Sequence, residues 1–189
     1  MAIKDILLLG NPLLTRVCAP VVEAELSAAI EVGKDLQDTM TGFRARHGWG
    51  RAIAAPQIGV LKRIVFLNVD EPWLLLNPEI SEPSEEMLEI WDDCMSFPDL
   101  LVRLRRHVSF TMTYRDQSWA RRSMRIEGLL SELLQHEIDH LDGMLAVARA
   151  IDGASFALQS QRGLIAGTTF ANKLGASSHG ASADSQAQH

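Results

Sequence analysis

The sequence predicts an α+β domain in which small mixed or antiparallel sheets surround a central helix. Three observations support this fold class. A helical pattern covers residues 22–46, short β-type runs follow between residues 63 and 126, and a second helical pattern covers residues 127–141. A block of strands followed by a helix is typical of α+β proteins.

The composition is that of one globular domain. The chain has 189 residues, of which 47% are hydrophobic and 22% charged, both ordinary values for a folded protein. A net charge of −6 provides no basic stripe for a phosphate backbone, so direct specific nucleic-acid binding is not expected. The apolar run Ile6–Leu9 is too short for a signal peptide, and no stretch approaches a membrane span. A cytoplasmic protein without membrane contact is therefore expected.

The first 50 residues predict an irregular segment followed by a helix. Gly10-Asn11-Pro12 is a turn signal within residues 1–20. From residue 22 to about residue 46, apolar or small residues recur at three- and four-residue steps, which is typical of a helix with one buried face. They are Leu26, Ala29, Ile30, Gly33, Leu36 and Met40. Gly48 follows, and glycine is common just past a helix C-terminus.

Five β-type runs come next, separated by turn signals. They are Arg63–Val69, Trp73–Asn77, Met87–Trp91, Leu100–Tyr114 and Ser123–Ile126. The segment Arg115–Ser118 between the last two is expected to be a hairpin turn. Arg103, Arg105 and Arg106 in the fourth run are expected to belong to a solvated strand rather than to a docking patch.

The second helix is expected to be largely buried, because apolar residues occupy more than one narrow stripe of it. They are Leu129, Leu130, Leu133, Leu134, Ile138 and Leu141, and Gly143 ends the pattern. A further helix is predicted from residue 153 to about Lys173, before a Ser-, Ala- and Gly-rich tail. The chain is thus divided into a domain of residues 1–152, a helical extension of residues 153–174 and a low-complexity tail of residues 175–189.

The strongest local signal is His136-Glu137-Ile138-Asp139-His140, which lies inside this second helix. Residues four apart share a helix face, so both imidazoles can bind one cation. The glutamate after the first histidine can then act as general base towards a metal-activated water. The apolar neighbours Leu133 and Leu134 argue against a merely solvated helix end. The central helix is therefore predicted to bind a metal.

A catalytic site usually needs a third protein ligand, and the downstream sequence does not supply one. The metzincin spacing fits through Gly143 but places Ala146 where a histidine is required, and no glutamate follows Glu137. The upstream candidates are Cys94, Cys18, His107 and His47. Cys94 is favoured because it lies where a β-type run stops at a proline-bearing bend, and such segments often carry site residues. Cys18 is expected to be a small core residue and His107 a strand surface residue.

With these residues in place, the chain resembles the peptide deformylase family over about residues 5–150. That family has a Gly-x-Gly-Leu/Ile-Ala-Ala-Pro-Gln loop, a Glu-Gly-Cys-Leu/Met-Ser segment and a Gln-His-Glu-x-Asp-His helix, in this order. The matching segments here are Gly50-Arg51-Ala52-Ile53-Ala54-Ala55-Pro56-Gln57, Asp92-Asp93-Cys94-Met95-Ser96 and Gln135-His136-Glu137-Ile138-Asp139-His140. The ordered triple is far more specific than any one of its parts.

The resemblance implies removal of the N-formyl group from the first residue of a peptide or nascent protein, most often formyl-methionine. It implies one divalent metal, with ferrous iron as the physiological ion and zinc or nickel as substitutes, held by Cys94, His136 and His140. Glu137 would be the general base, and the Gln57 side-chain amide and the Met95 backbone N–H would stabilise the oxyanion. The partner would be a formylated peptide or nascent chain, with a transient ribosome contact resting on a small local patch.

The residues expected to contact the substrate include several departures from the family pattern. They are Ala52, Ile53, Asp92, Asp93, Leu129, Glu132 and Leu133. Ala52 replaces a glycine, Asp92-Asp93 replace Glu-Gly, and Glu132 lies one turn before His136 where the family has an apolar residue. Asp93 is expected either to crowd the peptide channel or to contact a positive group. Glu132 is either turned out to water or suited to a polar substrate side chain.

Five functions remain open on these grounds. The first is a deformylase of ordinary methionine preference, and the second is one that prefers another formylated residue. The third is a hydrolase of a small N-formyl metabolite, and the fourth is a metal-binding homologue without turnover. An ordinary metallopeptidase comes last, because its third ligand is missing.

Overall fold

The computed structural model describes residues 3–165, and its regular elements follow one another along that range. They are α1 (Leu26–His47), β1 (Ala52–Ala54), β2 (Ile64–Asn68), β3 (Pro72–Ser81), β4 (Met87–Asp93), β5 (Leu100–His107), β6 (Ser109–Arg115), β7 (Arg121–Glu127), α2 (Gly128–Leu141) and β8 (Phe156–Leu158). Short 3₁₀ helices include Pro12–Thr15, Ala55–Ile58, Ala146–Arg149 and Gln159–Leu164. Within this range no helix is both long enough and apolar enough to cross a membrane.

The strands form two sheets. The larger has the order β1-β2-β3-β6-β7 and the smaller β4-β5-β8, and each neighbouring pair of strands is antiparallel. The predicted α+β class, with small sheets and a central helix, is confirmed.

The larger sheet lies between the two helices because its strands alternate apolar side chains between both faces. Val65 and Leu67 of β2 belong to the cluster that contains Leu134 and Leu141 of α2. Ile64 and Phe66, their neighbours in sequence, belong to the cluster that contains Leu36 and Met40 of α1. One buried layer therefore holds α2 on one face of this sheet, and a second holds α1 on the other face.

The opposite side of α2 meets the smaller sheet through buried polar groups. The Gln135 side-chain amide and the Ser131 hydroxyl each donate to the His107 carbonyl of β5, both at 2.8 Å. Arg106 of β5 also donates to Asp139 of α2. Because buried polar groups cost free energy when unpaired, these bonds fix the position of the helix between the two sheets.

The helix boundaries agree closely with the sequence. α1 ends at Gly48, which has φ 78° and donates its N–H to the Arg44 carbonyl. Gly143 has φ 71°, and a Cβ there would lie 2.7 Å from the Thr15 carbonyl oxygen. The chain after α2 therefore requires glycine at this position for both its conformation and its packing.

Three secondary-structure expectations need correction. The run Leu100–Tyr114 divides at Val108 into β5 and β6, which belong to different sheets. The three-residue strand β1 has no counterpart among the predicted runs, because two alanines give a weak β signal. The helix expected from residue 153 is absent in its described part, where β8 pairs with β5 and a 3₁₀ helix follows. Pairing with a distant strand edge overrides the local helical pattern here.

The expected domain boundaries stay predictions. Residues 166–173 of the expected helix, and the tail of residues 175–189, lie outside the described residues.

Candidate active site

The three predicted metal ligands come together at the centre of the fold. His136 and His140 lie one turn apart on α2, and Cys94 directly follows β4. The two Nε2 atoms are 3.2 Å apart, and Cys94 Sγ lies 3.3 Å from His140 Nε2. All three candidate ligand atoms lie within 4.8 Å of one another and are buried. The other candidates, Cys18, His47 and His107, are not part of this group.

This arrangement fits one divalent cation. Bonds of about 2.0–2.1 Å to nitrogen and 2.3 Å to sulfur, in tetrahedral geometry, place ligand atoms roughly 3.3–3.6 Å apart, close to the separations observed here. The hydrogen bond made by the His136 ring also suits metal binding. Its Nδ1 donates to Asp92 Oδ2 at 2.8 Å, which leaves Nε2 free to bind a cation. A thiolate with two imidazoles suits zinc or iron.

Asp92 contacts the candidate metal ligand His136 and also lines the pocket. Its Oδ2 atom accepts from His136 and, at 3.2 Å, from Arg106 Nη2. Burial opposes ionisation of this carboxyl, but His136 and Arg106 outweigh it and lower its pKa to about 2. Asp92 lines the pocket as expected, and its orienting contact to His136 is a function that the sequence did not reveal.

Arg106 corrects the expectation of a solvated basic strand. Its side chain is 2% exposed and is paired with Asp92 and Asp139. β5 alternates its faces, so Arg106 points inward with Leu104 while Arg105 points out to solvent. The buried guanidinium connects the Asp92 that holds His136 with the helix that carries both histidines.

We expect Asp92→Asn to weaken metal binding by about ten- to a hundred-fold, as loss of such an orienting partner typically does. The metal dissociation constant is measured by competition with a chelator. The control is Asp70→Asn, which changes an exposed carboxylate and should leave the constant unchanged. Unaltered affinity in Asp92→Asn would show that His136 is held by other contacts.

Glu137 is a buried carboxyl beside the candidate metal ligands. It follows His136 in α2 and is 3% exposed. Its Oε2 atom has no hydrogen-bond partner among the described residues. Burial raises the pKa of this carboxyl to about 7, against the opposing charge of His136.

The Gln57 side chain is held in place by the backbone of Ala54, three residues earlier. Its Oε1 atom accepts from the Ala54 N–H at 2.9 Å, which turns Nε2 towards Cys94 Sγ at 3.6 Å and Ser96 Oγ at 3.2 Å. Ser96 N–H also donates to Cys94 Sγ at 3.4 Å. Ser96 was given no function from the sequence, although it lies in the matched cysteine segment. No residue of the range 3–165 accepts a hydrogen bond from the Met95 N–H.

A pocket opens beside these groups. Its lining includes Cys94, His136, Glu137, Gln57 and Met95, together with the expected residues Ala52, Asp92, Asp93, Glu132 and Leu133. Trp49, Gly50 and Arg51 complete it and were not predicted.

Two residues expected beside the substrate do not line this pocket. Ile53 is fully buried in the cluster on the α1 face of the larger sheet, because its neighbours Ala52 and Ala54 take the other face. Leu129 lies in the first turn of α2, two turns before His136, and is half-buried.

The unusual acidic residues are buried rather than solvated. Glu132 is 1% exposed, and its Oε2 atom lies 3.4 Å from Arg51 Nη2, which excludes the interpretation that it faces water. Asp93 accepts from Arg162 Nη2 at 3.2 Å and from Gln159 Nε2 at 3.4 Å. The positive group that Asp93 contacts is therefore in its own chain, in the segment after β8. Burial, with the neighbouring charge of Asp92, raises the pKa of Asp93.

Comparisons with known proteins show the family of this chain. The polypeptide deformylase family model matches residues 3–155. The peptide deformylase of Leptospira biflexa is 34% identical over 163 residues, covering 79% of this chain and 88% of that protein. The peptide deformylase of a Parafrankia species is 39% identical over 153 residues, covering 79% of each.

Solved structures show the same fold. The peptide deformylase of Thermotoga maritima superposes with a TM-score of 0.74 at 26% identity, covering 80% of this chain and all of that one. An actinonin-bound class I type b peptide deformylase from Acinetobacter baumannii gives a TM-score of 0.72 at 27% identity, with 79% and 99% covered. This chain belongs to the peptide deformylase family.

Proposed function

We propose that this chain hydrolyses the N-formyl group from the first residue of a peptide or nascent protein. The observation that carries the proposal is the buried group Cys94, His136 and His140 beside the unpaired Glu137 carboxylate, in a pocket open to a ligand. A cytoplasmic location and a transient contact with the ribosome belong to the same proposal.

Cys94, His136 and His140 would hold one divalent metal, for which we propose ferrous iron, with zinc or nickel as substitutes. When bound, the metal acts as a Lewis acid that makes hydroxide available near neutral pH. Asp92 keeps the His136 ring oriented through Nδ1. Ser96 and Gln57 donate to the Cys94 sulfur, which holds it in position beside His140.

Glu137 transfers the proton. Its free Oε2 atom takes a proton from the attacking water as the oxygen–carbon bond to the formyl group forms. The same carboxyl then delivers that proton to the amine nitrogen as the carbon–nitrogen bond breaks. The products are formate and a peptide with a free N-terminus. Because this carboxyl is buried beside the candidate ligands and has one oxygen without a partner among the described residues, one group can perform both transfers.

Gln57 and Met95 stabilise the charge that develops on the formyl oxygen. Both lie at the pocket wall beside Cys94, and the Gln57 amide is held in one orientation by Ala54. Donors fixed before the reaction stabilise a transition-state oxyanion without reorganisation. The Met95 N–H is available for this bond because no described residue uses it.

We expect Gln57→Leu to lower kcat by about a hundred- to a thousand-fold, the usual cost of removing one oxyanion donor. Bound metal should remain near the wild-type level, because Gln57 is not one of the three ligands. The measurement is steady-state formate release together with metal content. A wild-type kcat in this variant would remove Gln57 from the mechanism.

The proposal is tested by incubating anaerobically iron-loaded protein with formyl-Met-Ala-Ser, formyl-Gln-Ala-Ser and their N-acetyl counterparts. We expect formate from the formyl peptides and no acetate from the acetyl peptides. Formate from N-formyl amino acids alone would instead support a small-metabolite hydrolase. One bound metal per chain without hydrolysis of any formyl compound would contradict the proposal and favour a binding protein.

A further inference from the structure

Two charged residues, Arg51 and Glu132, line the pocket beside the candidate metal ligands. Under the proposed function, on which this inference rests, the formyl carbon lies next to Cys94 and Glu137. The first side chain of the peptide must then enter the same pocket, whose lining includes Arg51 and Glu132. Leu133 and Met95 supply its apolar part.

Arg51 and Glu132 form an ion pair with unused hydrogen-bonding capacity. Their side chains are 14% and 1% exposed, and one contact of 3.4 Å joins Arg51 Nη2 to Glu132 Oε2. Arg51 Nε is buried and has no partner among the described residues. A single long contact offsets little of the cost of burial: burial, with the charge of Asp92, raises the pKa of Glu132 to about 8. A bound group that supplied more hydrogen bonds would stabilise both residues.

Methionine cannot supply those bonds. Its thioether would cover the pair, exclude water and leave the Arg51 N–H groups and the Glu132 carboxyl without new partners. A lysine ammonium could bind Glu132, but it would lie beside the Arg51 guanidinium and near the bound metal. The like charges would oppose it.

A primary carboxamide can form hydrogen bonds with both Arg51 and Glu132. Its oxygen can accept from Arg51, and its NH₂ can donate to Glu132. This pairing holds in either protonation state of Glu132, because a carboxylate and a carboxylic acid both present an acceptor oxygen. Glutamine is also close to methionine in length, so it fills a similar volume of the pocket.

We propose that the Arg51–Glu132 pair determines substrate preference, and that it selects N-formyl peptides whose first residue carries a side-chain carboxamide over those that begin with methionine. A site built to form hydrogen bonds discriminates strongly against a ligand that cannot form them, because its own buried polar groups are then left unpaired.

The test compares formyl-Gln-Ala-Ser with formyl-Met-Ala-Ser, a pair that differs in polarity more than in size. We expect kcat/KM of the wild-type protein to be at least about ten-fold higher for the glutamine peptide. Binding is measured separately with Glu137→Gln, which retains the pocket but lacks the base, by calorimetry with the same two peptides. The same preference is expected in the dissociation constants.

A double variant, Arg51→Met with Glu132→Leu, should reverse the preference because it replaces both hydrogen-bonding side chains with apolar ones. Leu133→Val is the matched control: it changes the same pocket without changing polarity and should retain the glutamine preference. The wild-type comparison stands even if the double variant does not fold.

The outcomes separate this inference from the proposed function. A methionine preference, equal rates for both peptides, or no binding of either peptide would overturn the inference. Hydrolysis with a methionine preference would leave the deformylase proposal intact. A glutamine preference in binding without hydrolysis would support the inference and contradict the proposed activity.

Discussion

Replacing Glu137 by glutamine is expected to lower kcat by about a hundred- to ten-thousand-fold, the usual contribution of a positioned general base. The amide is close in size to the carboxyl but cannot take a proton from water. The carboxyl is buried and its Oε2 atom has no partner among the described residues, so the variant loses the proton acceptor at this position. Steady-state formate release measures the effect.

The matched control for this variant is Glu85→Gln, which changes an exposed glutamate that does not line the pocket and should leave kcat unchanged. Both proteins should bind one metal per chain, because Glu137 is not a ligand in the proposed site. If Glu137→Gln keeps the wild-type kcat at full metal content, another group moves the proton.

Replacing Arg106 by methionine is expected to lower the free energy of unfolding by about 3–5 kcal/mol, as removal of one partner from a buried ion pair typically does. The guanidinium is 2% exposed and neutralises two carboxylates, Asp92 and Asp139. Without it, Asp92 would be left as a buried charge beside His136. Chemical denaturation, followed by circular dichroism, gives the change in unfolding free energy.

Arg105→Met provides the control on the same strand. Arg105 faces solvent, and its contact with Glu89 is a surface pair at 3.5 Å, so its replacement should change the unfolding free energy by less than about 0.5 kcal/mol. Equal denaturation midpoints for Arg106→Met and wild type would contradict the account of the buried network.

The metal ligands could be predicted because local geometry alone brings two of them together. His136 and His140 share a helix face at four-residue spacing, and the apolar residues around them showed that the helix is buried. Cys94 was predicted for a different reason: it lies at the end of a β-type run, in a segment that resembles a known family. The structure places all three in one group.

The buried ion pairs around the candidate ligands could not be predicted from local sequence. The run Leu100–His107 alternates little between polar and apolar residues near its end, and arginine is usually exposed. Nothing local shows that Arg106 meets Asp92 and Asp139. The pairing of Arg51 with Glu132 likewise joins residues 81 positions apart, and it exists only because β1 packs against α2.

The strand β8 could not be predicted from local sequence either. Phe156–Leu158 forms a strand because the edge of β5 is free to pair with it, and pairing of this kind depends on tertiary structure rather than on local preference. Ile53 lies within a matched segment, and the alternation of β1 turns its side chain to the face opposite the pocket. Its contact with substrate stays a prediction.

The central claim is that one cation, held by Cys94, His136 and His140, is required for the removal of the formyl group. The most direct test titrates metal-free protein anaerobically with ferrous iron while formate release from a formyl peptide is recorded. The account predicts that the rate rises in proportion to bound iron and stops rising at one ion per chain, with no release by Cys94→Ala. Formate release by metal-free protein, or a rate that does not follow bound iron, would contradict it.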